Sequence, residues 1–179
     1  IEYYKSIGKE PYFIYDKVGK LSDGFAAVEL EGRGWNFINK QGELVYKGDK
    51  WFDGVDNFFE GFARVKLEGK GWNFINTKGE LLWKEDKWFD FVSCFCDGIV
   101  RVKLKDKGYN FIDTNGELLW SEYKNYDNVY EFSDGFAKVG IKGRGWNFIN
   151  EQGELLCKED KWFDEVWAFY KGFARVKIA

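Results

Sequence analysis

The stretch Phe62–Leu67 alternates Ala63, Val65 and Leu67 with Phe62, Arg64 and Lys66, and a period of two predicts a strand with one buried face. Trp72–Asn76 alternates Trp72, Phe74 and Asn76 with Asn73 and Ile75. Apolar side chains on both faces predict a strand packed on both sides. Two further short runs, 51–58 and 80–83, complete a set of four segments, a to d, of which 62–67 is b and 72–76 is c. The turns between them, EGKG and NTKG, are short and Gly-bearing, as antiparallel hairpins require.

The same pattern returns every 37 residues without insertion, giving full units 14–50, 51–87, 88–124 and 125–161 and a partial unit 162–179. A fixed period of this length marks stacked supersecondary units. Certain columns recur in register. Asp16, Asp53, Asp90, Asp127 and Asp164 form one, and Gly34, Gly71, Gly108 and Gly145 another. Gly8 can be laid on Gly79, which makes residues 1–13 a degenerate c and d pair. Joined to the a and b segments of 162–179, they would complete one more unit. The expected fold is therefore a single all-β repeat domain over 1–179. Its leading form is a five-bladed β-propeller closed by pairing of the amino- and carboxyl-terminal segments; the alternative is an open β-solenoid or hairpin array.

Composition agrees with short strands and tight turns: aromatic residues make up 21% of the chain, with 21 glycines and a single proline. A net charge of −3 gives no overall field for nucleic acid. No apolar run is long enough for a membrane-spanning helix, so membrane insertion is not expected. The chain lacks Met and starts abruptly at Ile1, which suggests a fragment or a processed product.

Chemistry is sparse. The chain has no histidine, and its three cysteines, Cys94, Cys96 and Cys157, do not recur in register. They make a poor disulfide framework and a poor zinc site, and no cofactor or metal is expected. The five-fold Asp column reads as structural, each carboxylate bonding the backbone of an adjoining turn. The Asn column, Asn36, Asn73, Asn110 and Asn147, lies inside a buried strand and needs partners, which a ladder between units would supply. The basic column Arg64, Arg101, Lys138 and Arg175 is expected to pair with carboxylates or to extend into solvent.

The phrases GFARV, GKGW and NFIN, with their counterparts GFAAV, GRGW and NFID, resemble the bacterial WG-repeat (KWG-repeat) family over nearly the whole chain. One departure is plain: Asn follows the Trp where that family usually has Gly. The resemblance implies an all-β repeat and no particular reaction, and it leans towards a bacterial cell-surface or secreted setting. A looser likeness to tachylectin-type five-bladed propellers rests on ring size and aromatic turns.

In a meander, the b–c turn and the d–a joint share one end of each unit. Those turns are net positive and rich in aromatics, whereas the a–b and c–d turns are net negative. Flat aromatic faces among charged side chains suit a glycan or a protein partner. The candidate ligand-binding residues at this end are Tyr46, Trp72, Trp83, Trp88 and Trp120. The expected function is a non-enzymatic binding module for a protein or glycan. A purely structural surface array is the alternative, and an enzyme comes third.

Overall fold

The computed structural model describes residues 15–49, 51–83, 88–158 and 161–178. The pairing expected to involve residues 1–13 lies outside the described residues. Among these there is no helix, and every regular element is a strand.

Each repeat forms one antiparallel sheet. The first contains β1 (Lys17–Val18), β2 (Phe25–Leu30) and β3 (Gly34–Asn39); the second β4 (Gly54–Val55), β5 (Phe62–Leu67) and β6 (Gly71–Asn76). The third contains β7 (Phe91–Val92), β8 (Ile99–Leu104) and β9 (Gly108–Asp113), and the fourth β10 (Asn128–Ser133), β11 (Phe136–Ile141) and β12 (Gly145–Asn150). A two-stranded sheet, β13 (Glu165–Val166) with β14 (Val176–Lys177), follows. The chain divides into two compact units. One runs up to Leu67 and includes Ile75–Glu80; the other comprises Glu68–Phe74 and everything from Leu81 onwards.

Segments b and c form strands as their alternation predicts. Ala63 and Val65 are buried while Arg64 and Lys66 are not, and Phe74 and Ile75 are buried on opposite faces of β6. Between a and b the chain reverses in two residues, both at positive φ: Asp23 and Gly24, Glu60 and Gly61, and the same pair in every later repeat. That is the mirror-image turn whose twist matches antiparallel strands.

Segment d departs from the expected fourth strand. It touches segment c at single bridges, Ile38 to Leu44, Ile112 to Leu118 and Ile149 to Leu155. Further along, the outer edge of c is taken by the start of the next repeat, as Trp35 pairs with Phe52, Trp72 with Phe89 and Trp146 with Phe163. The outer edge of c is thus divided between segment d and the next repeat, with a gap between the two contacts. This prevents d from forming a ladder.

The Asn column closes that gap. Asn36 Nδ2 donates to the Tyr46 carbonyl at 2.9 Å, and its Oδ1 accepts the Tyr46 N–H at 3.1 Å. The side-chain amide thus takes the place of a missing backbone partner, and Asn73, Asn110 and Asn147 repeat it with Trp83, Trp120 and Cys157. The partners belong to segment d of the same repeat, ten residues on, rather than to a neighbouring repeat. The Asp column does what its position suggests: Asp16, Asp90 and Asp127 accept the backbone N–H of Glu31, Lys105 and Lys142 in the b–c turn.

Adjacent repeats are joined by aromatic contacts. Phe37 meets Phe58 with ring centroids 4.8 Å apart, and Phe74–Phe95, Phe111–Phe132 and Phe148–Phe169 repeat the arrangement at 4.6–4.9 Å. A Phe from strand c and a Phe from the next segment a thus bury one another, and such edge-on or tilted pairs are favourable beyond their area.

Candidate functional site

A cavity of about 770 Å³ forms a groove at the b–c and d–a end of the first repeat. This is the end that sequence reasoning selected. Its floor is Trp51, only 1% exposed, with the Arg33 guanidinium 4.7 Å from the ring centroid. Arg144 covers Trp162 in the same way at 4.9 Å in the fourth repeat.

The groove is not basic. Asp16, Glu29, Glu31, Asp49 and Asp53 line it against Lys17 and Arg33. Charge counted over turns alone leaves out the Asp column and the end of strand b, which the fold brings to the same rim. Lys17 pairs with Glu29 at 2.6 Å, and the hydrogen bond that its ammonium donates to Glu29, helped by the carboxylate's charge, holds Lys17 above its ordinary pKa.

The five candidate aromatics have different surroundings. Tyr46 and Trp83 are half-buried and pack on the following repeat, Tyr46 with Phe52 at 4.7 Å and Trp83 with Phe89 at 4.4 Å. Trp72 and Trp88 are half-buried too. Trp72, Trp83 and Trp88 all belong to the second joint, where Asn73 holds Trp83 and Trp72 pairs with Phe89. Trp120 is a correction. It is 1% exposed, lies edge-on to Phe111 at 5.1 Å and belongs to the core with Val129, Val139 and Ile149, so it offers no face to a ligand.

The third joint explains the exception. There Tyr109 pairs with Lys124, two residues earlier than the positions of Phe52, Phe89 and Phe163 predict. The stretch between the two contacts is shorter, Asn110 gains a second carbonyl, Glu122, at 3.3 Å, and the Trp120 ring lies edge-on to Phe111 while packing into the core of the next repeat beside Gly153. Tyr123, in the same joint, has its hydroxyl buried without a partner, and burial pushes the phenol up to about 12. Because the folded-state value lies above the unfolded one of about 10, this group's contribution to stability is present below pH 10 and is lost as pH rises towards 12. Subtracting the alkaline absorbance titration of Tyr123→Phe from that of the parent is expected to leave one tyrosine ionising near 12. Ionisation near 10 would show that the hydroxyl is solvated.

Sequence reasoning passed over the differences within the basic column. Arg64 bonds Asp56 at 2.6 Å and Arg101 pairs with Glu131 at 3.0 Å, but Lys138 and Arg175 lie over Tyr130 and Trp167. The signal was available in the partner column, which reads Asp56, Ser93, Tyr130 and Trp167. Two cysteines, Cys94 and Cys96, are exposed thiols, and Cys157 is half-buried.

The match to a known family runs along the repeat region, and two of its segments, 35–70 and 111–144, cross from one repeat into the next. Residues 12–33, 35–70, 111–144 and 161–179, together more than half of the chain, match the WG containing repeat. The chain belongs to the WG-repeat family. This WG-repeat chain has Asn after the Trp of strand c, and that Asn has the structural duty described above. No curated protein matches it significantly. Among solved structures it is similar to the computationally designed Ika8 protein (13% identity, 89% of this chain and 57% of that one, TM-score 0.48) and to the WD40 β-propeller domain of Doa1 (12%, 90% and 62%, 0.44). It is also similar to BamB from Moraxella catarrhalis (13%, 82% and 50%, 0.40). The WG-repeat chain thus spans less than two thirds of each of these three.

Proposed function

We propose that this WG-repeat protein is a non-enzymatic scaffold that binds a protein or glycan partner at the joints between its repeats. The observation that supports this reading most is the 770 Å³ groove of the first repeat. Its volume lies in the range of ligand clefts, about 300–1,000 Å³. Part of its rim, Glu31 to Arg33, is a turn, where residues can vary while the sheet beneath stays constant. The dense, mixed charge suits a polar partner with both donors and acceptors.

Glycan and peptide arrays probed with the parent chain and with a Glu31→Lys/Asp49→Lys variant test the reading. Both side chains are exposed, so the variant is expected to keep its urea midpoint while losing binding. Trp83→Ala extends the test to the second joint. Failure of the parent to bind either array, or binding that neither variant alters, would favour the purely structural array.

A further inference from the structure

Residues 173–177 read Phe-Ala-Arg-Val-Lys, as residues 62–66 do, and Ile178 follows where Leu67 does. In the second repeat this strand is β5, and β6, Gly-Trp-Asn-Phe-Ile-Asn, lies along its outer edge. There Ala63 and Val65 are buried. In the last sheet, β14 pairs with β13 alone among the described residues. Val176 is 37% exposed, Ile178 73% and Phe173 81%. The apolar pattern is the same in both repeats; what differs is the strand across the edge.

The backbone of that edge is directed outwards. Asp164 and Trp167 donate their N–H groups to the Lys177 and Arg175 carbonyls, each at 3.0 Å, so Lys177 and Arg175 turn their backbone towards β13. Alternate residues of an antiparallel strand face the other way, which leaves the backbone groups of Ala174, Val176 and Ile178 for the outer edge. The strand's charges are held on its opposite face, Lys177 by Glu165 at 2.8 Å and Arg175 against the Trp167 ring at 3.7 Å. An edge of this kind, backed by apolar side chains, is a template for a further strand.

We infer that the β14 edge is a strand acceptor for another WG-repeat chain, which docks on it an unengaged strand c of the pattern Gly-Trp-Asn-Phe-Ile-Asn. The same five residues already take that partner in the second repeat. Two other occupants fit less well. A second β14, antiparallel about Val176, would set Arg175 against Lys177, like charges directly opposite. Residues 1–13, aligned with segments c and d through Gly8, carry Glu2 where strand c has Asn and Tyr4 where it has Ile. The register follows from the complete sheets, where Val28, Val102 and Val139 lie opposite Asn36, Asn110 and Asn147, and Leu30 opposite Gly34. The donor therefore sets its first Asn opposite Val176 and its Gly opposite Ile178. Main-chain bonds supply the affinity of such a complex and the apolar face its selectivity. The acceptor shares no residue with the first-repeat groove.

Fluorescence anisotropy of the full chain with a labelled peptide of residues 143–156, GRGWNFINEQGELL, tests the inference. The parent is expected to bind it saturably, and to bind a scrambled peptide of the same composition at least about tenfold more weakly. Ile178→Asp, which puts a charge on the exposed apolar face, should weaken binding at least about tenfold with the melting temperature unchanged. Val176→Pro, which removes an N–H from the edge but none from the β13 pair, should do the same. Glu31→Lys/Asp49→Lys should bind as the parent does, and hydrogen exchange should show the Val176 and Ile178 amides gaining protection with the peptide. Absence of binding by the parent, equal binding of the scrambled peptide, or unchanged binding by either edge variant would overturn the inference. So would loss of binding in the groove variant. Tighter binding of a peptide of residues 1–13 would give the edge to this chain's own segment, and a dimer of the parent alone, dispersed by Ile178→Asp, would give it to a second copy; either result overturns the assignment to a foreign strand c.

Discussion

Replacing Gly145 by alanine is expected to cost about 3 kcal/mol or more, while the same change at Gly143, two residues earlier in the same turn, costs about 1–2 kcal/mol. Both glycines have positive φ, +78° at Gly143 and +111° at Gly145. A Cβ at Gly143 would meet nothing within 4 Å, so only the left-handed conformation is penalised. At Gly145 it would sit 2.5 Å from the carbonyl oxygen of Phe163. That oxygen accepts the Trp146 N–H at 2.8 Å, and Phe163 donates back to the Trp146 carbonyl at 2.9 Å. The added methyl must therefore break the two hydrogen bonds that seat the next repeat on strand c. Urea midpoints of the two variants give the comparison. Equal losses would mean that backbone conformation alone, without the close approach, explains why glycine recurs at Gly34, Gly71, Gly108 and Gly145.

Much of this architecture was readable because it repeats. The period-two pattern of Phe62–Leu67 and the twin-faced pattern of Trp72–Asn76 each specify a strand, and the Asp column announces its turn bonds by recurring beside a Gly-bearing turn. Segment d was misread for a physical reason: its apolar residues are real, but the amide of Asn36 or Asn73 takes the place of the expected ladder. A side chain that imitates backbone has no periodic signature. The charge of the candidate end was misjudged similarly, because Asp16, Glu29 and Asp53 come from strand ends that only the fold brings to the rim. Trp120 and Ser93 share a different cause. Each is a departure from a column, and the consequence of a departure depends on distances between repeats that a column does not contain.

The strongest test of the side-chain ladder is Asn110→Ala, which is expected to cost about 3 kcal/mol or more. Asn110 is fully buried and uses its whole hydrogen-bonding capacity. Nδ2 donates to the carbonyls of Trp120 and Glu122 at 3.0 and 3.3 Å, and Oδ1 accepts the N–H groups of Phe111 and Trp120 at 2.7 and 3.1 Å. Alanine leaves those groups behind. Each buried group without a partner costs about 1–3 kcal/mol, and Trp120 lies in the core, where water cannot easily replace the amide. Asn39→Ala supplies the control. Its side chain bonds Gln41, Glu43 and the c–d turn at an exposed site, so solvent can take over and the loss should stay near 1 kcal/mol. Urea denaturation ranks the two variants, and hydrogen exchange locates the effect: the Trp120 amide should lose its protection in Asn110→Ala before the amides paired between β8 and β11 and their own sheet partners do. If Asn110→Ala were no worse than Asn39→Ala, the amide would be a passenger in strand c, and the recurrence of Asn after the strand-c aromatic would need another explanation.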